Sequence, residues 1–302
     1  MVKDINEIEK NVSVGVIGCG WLGTALALAL LKKNVSVLAT SSKLDNVEQL
    51  NQQGIDAQQL TLPADVEQLA QHAIFSQQCL VIAIPPQFKQ GRTDYADKIS
   101  QLVSAAQHRG IVQRIILLSS TAIYTDLSGI VDEESSLSLM SNKVQVLHNA
   151  EQAVLAFHHQ ASVLRLAGLV GPNRHPGKFL LAKKALNNAK DKINLIHQED
   201  AAGLILALLA EQSPQGIFNG VSDNHASKKV YYQHAAKALS LPMPIFSEGE
   251  TLEEARIVSG EKAQQTLNYS FIYPDLLAWL YPNHLKMQDS AGIRNVFRQG
   301  ID

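Results

Sequence analysis

The chain is poor in several residue types, and each shortage excludes a class of protein. Its 302 residues include only two cysteines, Cys19 and Cys79, so a disulfide-stapled fold is not expected. No apolar run is long enough to span a bilayer, and the first ten residues are charged and lack the apolar segment of a signal peptide. Charged residues make up 18% and the net charge is −2, which disfavours nucleic acid and anionic membranes as partners. We therefore expect a cytoplasmic globular protein, monomeric or homodimeric, with a small-molecule substrate.

A glycine-rich stretch near the N-terminus is the most informative part of the sequence. It joins an apolar strand candidate to an apolar helix candidate, as residues 12–17, Gly18-x-Gly20-x-x-Gly23 and residues 24–31. This strand–turn–helix context is typical of a dinucleotide site. Gly18 permits the tight turn, Gly20 leaves room for a diphosphate, and Gly23 lets the helix lie close to the strand. We expect backbone N–H groups at the helix start, including those of Trp21 and Leu22, to face the phosphates.

Apolar β-branched runs alternate with helical stretches through the first half of the chain. Strand candidates are residues 12–17, 35–39, 80–84, 115–118 and 162–166, and the helix candidates between them include 95–108 and 143–158. Continuous apolar character indicates parallel strands that are covered on both faces. The sequence therefore predicts an α/β fold with a doubly wound parallel sheet of the NAD(P)-binding Rossmann type, whose ligands bind beyond the carboxyl ends of the strands.

The pattern changes after residue 219. A helix candidate at 228–238, a strand at 255–258 and a helix at 274–280 indicate a smaller C-terminal lobe of mixed α/β structure. We expect a dinucleotide-binding domain at 11–170, completed by 193–222. Residues 171–192 and 223–281 are then the substrate lobe, and 282–302 a C-terminal tail.

The end of the second strand bears on the choice of cofactor. NAD sites usually carry an acid here, which binds the ribose 2′-hydroxyl. This chain has Thr40, Ser41 and Lys43 instead, which suit the 2′-phosphate of NADP(H). We therefore expect NADP(H) to be favoured over NAD(H); the alternative is that Lys43 is only a solvated residue. Ile84 and Pro85, at the end of the strand candidate at 80–84, either form a wall beside the cofactor or simply terminate the strand.

Hydroxyl groups lie at the end of the strand candidate at 115–118, which is called the fifth strand below, where a nicotinamide ring would lie. Ser120 and Tyr124 are candidates for proton transfer, Ser119 for a cofactor contact and Thr121 for a substrate contact. The alternative is that these serines and threonines only cap the strand end.

These blocks resemble the short-chain dehydrogenase/reductase superfamily, in its extended branch of NAD-dependent epimerases and dehydratases. Within that branch the chain is most similar to the atypical YeeZ-like group. The matching segments are the glycine loop and residues 119–124, 164–172, 194–200 and 217–219. The resemblance implies a catalytic hydroxyl at Ser120, a cofactor contact at Ala167 and a small lobe that closes over the substrate.

The catalytic helix departs from this resemblance. The superfamily's acid/base is a Tyr-x-x-x-Lys pair on the helix after the fifth strand, whereas this chain has Lys143 and Leu147 at the aligned positions. No tyrosine in the chain has a lysine four residues later. The YeeZ-like group shares this loss. The ordinary dehydrogenase mechanism therefore does not carry over, and we expect no catalytic role for this helix.

A loop dense in cations, residues 171–178, follows the strand at 162–166. Proline and glycine break the structure on both sides, so the loop should project near the nicotinamide end. We expect Arg174 and Lys178 to grip an anionic substrate, and His175 to exchange a proton near neutral pH. The alternative is a solvated basic loop.

Two further groups of residues receive structural interpretations. We expect His197 and Asp200 to be structural, with Asp200 as the N-cap of a helix over 201–210. His158 and His159 lack nearby cysteine or carboxylate at ligand spacing, so we expect no metal site.

Two functions remain open at this point. The first is an NADP(H)-dependent oxidoreductase, or an epimerase/dehydratase-like enzyme, that acts on a small polar substrate of anionic or sugar type. The second is a catalytically silent NADP(H)-binding protein that senses redox state or regulates a partner. The missing Tyr-x-x-x-Lys favours the second function, and the hydroxyls after the fifth strand favour the first.

Overall fold

The computed structural model describes residues 12–181, 185–210, 214–247 and 254–281. The predicted tail at 282–302 lies outside the described residues. Within the described ranges, no helix combines the length and apolarity needed to cross a membrane.

The strands form one large sheet and two small ones. In chain order they are β1 (Ser13–Ile17), β2 (Ser36–Ser41), β3 (Asp56–Gln59), β4 (Cys79–Ile82), β5 (Arg114–Ser120), β6 (Ile130–Val131), β7 (Gln160–Leu166), β8 (Gly168–Val170), β9 (Leu195–His197), β10 (Gly216–Gly220) and β11 (Ile257–Val258). The large sheet has seven parallel strands in the order β10-β7-β5-β4-β1-β2-β3. β6 pairs with β11, and β8 pairs with β9.

The helices are α1 (Trp21–Lys32), α2 (Leu44–Gln52), α3 (Val66–Ala70), α4 (Tyr95–Arg109), α5 (Asn142–Leu155), α6 (Gln198–Leu209), α7 (Lys228–Ala238), α8 (Glu261–Thr266) and α9 (Leu276–Trp279). α1 packs against α6, and α4 packs against α3 and α5. The chain winds outward from β1 in one direction and then from β4 in the other. Right-handed crossovers place α1 on one face of the sheet and α4 and α5 on the other. α6 lies on the same face as α1, against which it packs.

The predicted fold class is confirmed. Each strand predicted for the large sheet is found within two residues of its expected limits. β1 lies between β2 and β4, so the direction of winding reverses beside its carboxyl end, where ligands of doubly wound sheets bind. The edge strand β3 was missed because its sequence, Asp-Ala-Gln-Gln, is mostly polar and exposed.

A second, smaller group of buried side chains lies apart from the main core. Its members come from the chain after β7 and from the C-terminal part: Val170, Ile193, Tyr231, Ala235, Tyr273, Leu276 and Leu280. The helix predicted at 228–238 forms as α7, and the helix predicted at 274–280 forms as the shorter α9. The expected domain limits stay a prediction.

Candidate functional site

The turn after β1 requires glycine at its first position. Gly18 has a φ of +86°, and a Cβ there would lie 2.6 Å from the Ile84 side chain and 2.9 Å from the Ile84 backbone nitrogen. The N–H groups of Gly18 and Cys19 donate to the carbonyl oxygen of Thr40, at 3.2 and 2.7 Å. The turn is thus fixed against the ends of β2 and β4, and Ile84 lies directly against it.

The space in front of α1 is open at Gly20. A Cβ at Gly20 would meet no atom of the described residues closer than 4.0 Å. Gly20 is the N-cap of α1, and no side chain in the described ranges caps this helix. The first N–H groups of a helix have no intrahelical acceptor, so those of Trp21 and Leu22 are available to an anion. Gly23 packs closely on β1, because its Cβ would lie 3.3 Å from Val16.

The polar residues at and after the end of β2 fall into two groups. Thr40 is 1% exposed and Ser41 is buried, and their hydroxyls accept from the N–H groups of Gly18, at 3.4 Å, and Lys43, at 3.3 Å. These hydroxyls therefore shape the turn. The Lys43 side chain is exposed, and none of the ion pairs among the described residues includes it.

The end of β5 leaves one hydroxyl partly exposed. Ser119 is buried and donates to the Glu151 carboxylate at 2.5 Å, and Thr121 is also buried. Ser120 is half-buried, and its Oγ accepts from the N–H of Ala122 at 3.2 Å. The O–H of Ser120 is therefore the donor that this strand end can offer to a ligand.

Tyr124 does not have the position that its expected role in proton transfer requires. It is fully buried, and its hydroxyl donates to Asn219 at 3.0 Å and accepts from Arg165 at 2.6 Å. Burial raises the pKa of Tyr124, although Arg165 and Asn219 lower it. With both hydrogen-bonding capacities used inside the protein, this phenol supports the fold.

The two positions aligned with the superfamily's catalytic tyrosine and lysine do not form a polar pair in this structure. Leu147 is fully buried in the core. Lys143 is half-buried, and its ammonium lies 6.0 Å from the centre of the Phe88 ring, in the loop after β4.

The same region contains a buried ion pair that the sequence analysis missed. Glu151 and Arg165 are 0% and 2% exposed, and the closest contact between their charged groups is 2.7 Å. The pair joins α5 to β7, and Glu151 also accepts from Ser119. Its sequence signal is a charge inside an apolar strand, since Arg165 stands in Val-Leu-Arg-Leu.

The three basic side chains of loop 171–178 have different surroundings. Arg174 lies over the indole of Trp21, with the guanidinium carbon 5.2 Å from the ring centre. His175 instead stacks on Trp279 at 5.7 Å, and its Nδ1 accepts from the N–H of Gly177 at 3.1 Å. Lys178 is exposed.

His175 also lacks the position that its expected role requires. Its Nε2 is buried and has no hydrogen-bond partner among the described residues. Burial, with a smaller effect of Lys178, lowers the pKa of this imidazole. The ring packs against α9 and does not offer an open nitrogen to a substrate.

The expectation that Asp200 is the N-cap of α6 is wrong. The helix begins at Gln198, earlier than predicted, and the N-cap is His197, whose Nδ1 accepts from the N–H of Glu199 at 3.2 Å. Asp200 lies in the first turn, and its carboxylate accepts from the Tyr269 hydroxyl and from the N–H groups of residues 272 and 273, at 3.0, 2.6 and 2.9 Å. Burial raises the pKa of Asp200 to about 6, against the opposite effect of these donors. Burial also lowers the pKa of His197 to about 3.

The remaining expected site residues line the same sheet edge. Pro85 is exposed in the loop after β4, and Ala167 is buried directly after β7, where its N–H donates to Gly220 at 2.9 Å. No group of three or more histidine, cysteine or carboxylate side chains in the described ranges is placed to hold a metal ion.

Comparisons with known proteins agree with this geometry. Residues 13–129 match the family model described as the N-terminus of NAD-dependent glycerol-3-phosphate dehydrogenase. Among solved structures, a functionally unknown conserved protein from Silicibacter pomeroyi superposes with a TM-score of 0.71 at 23% identity, covering 93% of this chain and 99% of that one. UDP-glucuronic acid 4-epimerase from Bacillus cereus, solved in complex with NAD, has a TM-score of 0.71 at 19% identity, with coverage of 92% and 99%.

A curated relative is closer in sequence than these structures. Protein YeeZ of Escherichia coli strain K12 is 34% identical over 277 residues, which cover 87% of this chain and 97% of YeeZ. Its α/β Rossmann-like fold is similar to that of the NAD-bound epimerase, and the chain belongs to the YeeZ family.

Proposed function

We propose that this protein is an NADP(H)-dependent oxidoreductase, or an epimerase/dehydratase-like enzyme, that acts on a small polar substrate. The observation that carries this proposal is the open space at Gly20, in front of an uncapped α1, with the Ser120 hydroxyl at the same edge of the sheet. The Bacillus cereus epimerase has a similar fold and was solved with NAD, which supports the choice of ligand.

The chain's own residues supply the cofactor site. The backbone at Gly20 and Trp21 admits the diphosphate, while Ile84 and Pro85 form a wall beside it. Lys43 is exposed where a 2′-phosphate would lie, which favours NADP(H) over NAD(H). When bound, the nicotinamide cofactor accepts or supplies a hydride.

Ser120 is the residue that we assign to the substrate. Its Oγ already accepts from Ala122, so its O–H is free to donate to a substrate alcohol or carbonyl oxygen and to orient it. We assign no proton transfer to Tyr124 or His175, because both are occupied in packing. Lys178, an exposed cation of the loop after β8, suits an anionic or sugar-type substrate that carries a negative charge.

A panel of polar, acidic and sugar metabolites, screened for NADPH oxidation or NADP⁺ reduction, tests this proposal. With a substrate found, Ser120→Ala is expected to lower kcat by about a hundredfold or more. Thr125→Ala is the matched control, because Thr125 is an exposed hydroxyl on the following turn. Lys143→Ala is expected to leave both NADPH binding and turnover unchanged.

The second candidate function is a catalytically silent NADP(H)-binding protein. It is favoured by Lys143 and Leu147 at the positions of the superfamily's catalytic pair. Tight NADPH binding with no turnover across the panel would support it. Loss of turnover in Lys143→Ala would instead show that this lysine replaces the missing acid/base.

A further inference from the structure

The indole of Trp21 connects the phosphate-binding turn to the loop after β8. Its Nε1–H donates to the carbonyl oxygen of Pro172 at 3.1 Å, and a Cβ at Gly171 would lie 3.3 Å from the ring. The carbonyl oxygen of Trp21 accepts from the side chain of Gln198 at 2.8 Å. The indole is thus held in a defined orientation at the first residue of α1.

The Arg174 side chain packs on this indole. The N–H of Arg174 donates to the carbonyl oxygen of Gly171 at 2.9 Å, which closes a tight turn, and the guanidinium carbon lies 5.2 Å from the centre of the Trp21 ring. The side chain is exposed, and no carboxylate of the described residues pairs with it. A guanidinium stacked on an aromatic ring keeps its N–H donors at the periphery, where they can bind an anion.

We infer that Arg174 binds the diphosphate of the cofactor, and not the substrate anion that its loop suggested from sequence. Trp21 is the first residue of the helix whose N-terminus faces the open space at Gly20. A cation on the Trp21 ring therefore adds a charge-assisted contact beside those of the backbone N–H groups. The inference rests on the proposed function, because it requires a dinucleotide in this space.

The position of Arg174 has a second consequence. The loop that carries it runs on into the substrate lobe, through His175 and Lys178, so the cofactor would be bound by residues from both parts of the chain. Bound cofactor would then hold this loop against the glycine turn and complete the surface that the substrate contacts.

Two ligands test the contribution of the diphosphate to binding separately from that of the rest of the cofactor. ADP-ribose contains the diphosphate but no nicotinamide, and adenosine 2′-phosphate lacks the diphosphate. Calorimetry is expected to show that Arg174→Ala weakens ADP-ribose binding by about tenfold or more. Binding of adenosine 2′-phosphate should stay within about twofold of the parent protein. Arg174→Lys keeps the charge but loses the planar stack, so it should recover only part of the affinity.

Lys178→Ala is the matched control, because it removes an exposed cation from the same loop. It is expected to leave the affinity for ADP-ribose unchanged. The chain has two tryptophans, so Trp279→Phe leaves Trp21 as the only indole reporter. In that background ADP-ribose should change the Trp21 emission, and Arg174→Ala should reduce the change at the same ligand concentration.

The outcomes distinguish this inference from the proposed function. If the parent protein binds ADP-ribose and Arg174→Ala binds it equally well, the inference is wrong and cofactor binding stands. If the parent protein binds neither ADP-ribose nor NADPH, both fail. Thermal melting of each variant without ligand verifies folding, and Arg174→Gln takes the place of an alanine variant that does not fold.

Discussion

Arg165 and Glu151 form an ion pair with a closest contact of 2.7 Å in the interior between β7 and α5, and their side chains are 3% and 0% exposed. Removing one partner leaves the other charge buried without compensation. We expect Arg165→Met to lower the free energy of unfolding by about 3–5 kcal/mol. Urea denaturation followed by circular dichroism measures this change.

The matched control for this pair is the exposed pair between Lys262 and Glu134, in which the Glu134 side chain is 84% exposed. Glu134→Gln should change the free energy of unfolding by less than about 1 kcal/mol. The double variant Arg165→Met with Glu151→Met should be more stable than Arg165→Met alone, since no unpaired charge then remains. A double variant that is no more stable would contradict the argument.

The buried imidazole of His197 predicts a loss of stability in acid. Burial lowers its folded-state pKa to about 3, whereas an exposed histidine in the unfolded chain titrates near its ordinary value of about 6.5. Between these values the unfolded state binds more protons, so stability rises with pH through this window and falls as the pH decreases. This group should make the free energy of unfolding about 2 kcal/mol lower at pH 5 than at pH 8.

Denaturation at pH 8 and pH 5, with the parent protein and His197→Asn, measures this effect. Asparagine keeps an acceptor for the N-cap of α6 but does not titrate. The variant should therefore lose less stability between the two pH values than the parent protein. Equal losses would show that His197 does not contribute to the acid sensitivity.

Gly20 and Gly18 should respond differently to the same substitution. At Gly20 a Cβ enters the open space in front of α1 and meets no described atom closer than 4.0 Å. Gly20→Ala should therefore change the free energy of unfolding by less than about 1 kcal/mol. It should nevertheless weaken NADPH binding by about tenfold or more, because the methyl group occupies the space of the diphosphate. Calorimetry and thermal melting measure the two effects.

The contrast with Gly18 makes this prediction specific. Gly18→Ala places a Cβ 2.9 Å from the Ile84 backbone at a φ of +86°, so it should destabilise the fold itself. If Gly20→Ala binds NADPH like the parent protein, the dinucleotide does not lie in front of this helix.

Lys43 should set the preference between the two nicotinamide cofactors. Lys43→Ala is expected to weaken NADPH binding by about tenfold while NADH binding changes little, because only NADPH carries the 2′-phosphate. Lys43→Glu should favour NADH. Lys33→Ala, at the far end of α1, is the control, since it removes an exposed lysine away from the cofactor. Equal parent affinities for both cofactors would contradict this assignment.

The large sheet was predictable because its central strands are buried on both faces and have continuous apolar sequences. β3 was not, since an edge strand needs little apolar surface. The glycine turn was also predictable from sequence, because the positive φ of Gly18 is a local backbone requirement that glycine meets.

The side-chain partners were not predictable in the same way. Tyr124 meets Asn219, 95 residues away in sequence, and the Trp21 indole meets Pro172, 151 residues away. Local sequence says which groups are polar, but not which of them lie together after folding. For this reason Tyr124 and His175 look like proton donors in the sequence, whereas in the structure Tyr124 is buried and the His175 ring packs against Trp279.

The Asp200 carboxylate ties the C-terminal segment at residues 269–273 to the first turn of α6 through three hydrogen bonds. The segment at residues 269–273 is thus held to the helix that precedes β10 of the large sheet, and a truncation before Tyr269 would remove the hydrogen-bond donors of a buried acid. The two lobes should therefore melt as one cooperative unit. Single-tryptophan variants that retain Trp21 or Trp279 report on one lobe each, and both should show the same melting temperature as the calorimetric transition.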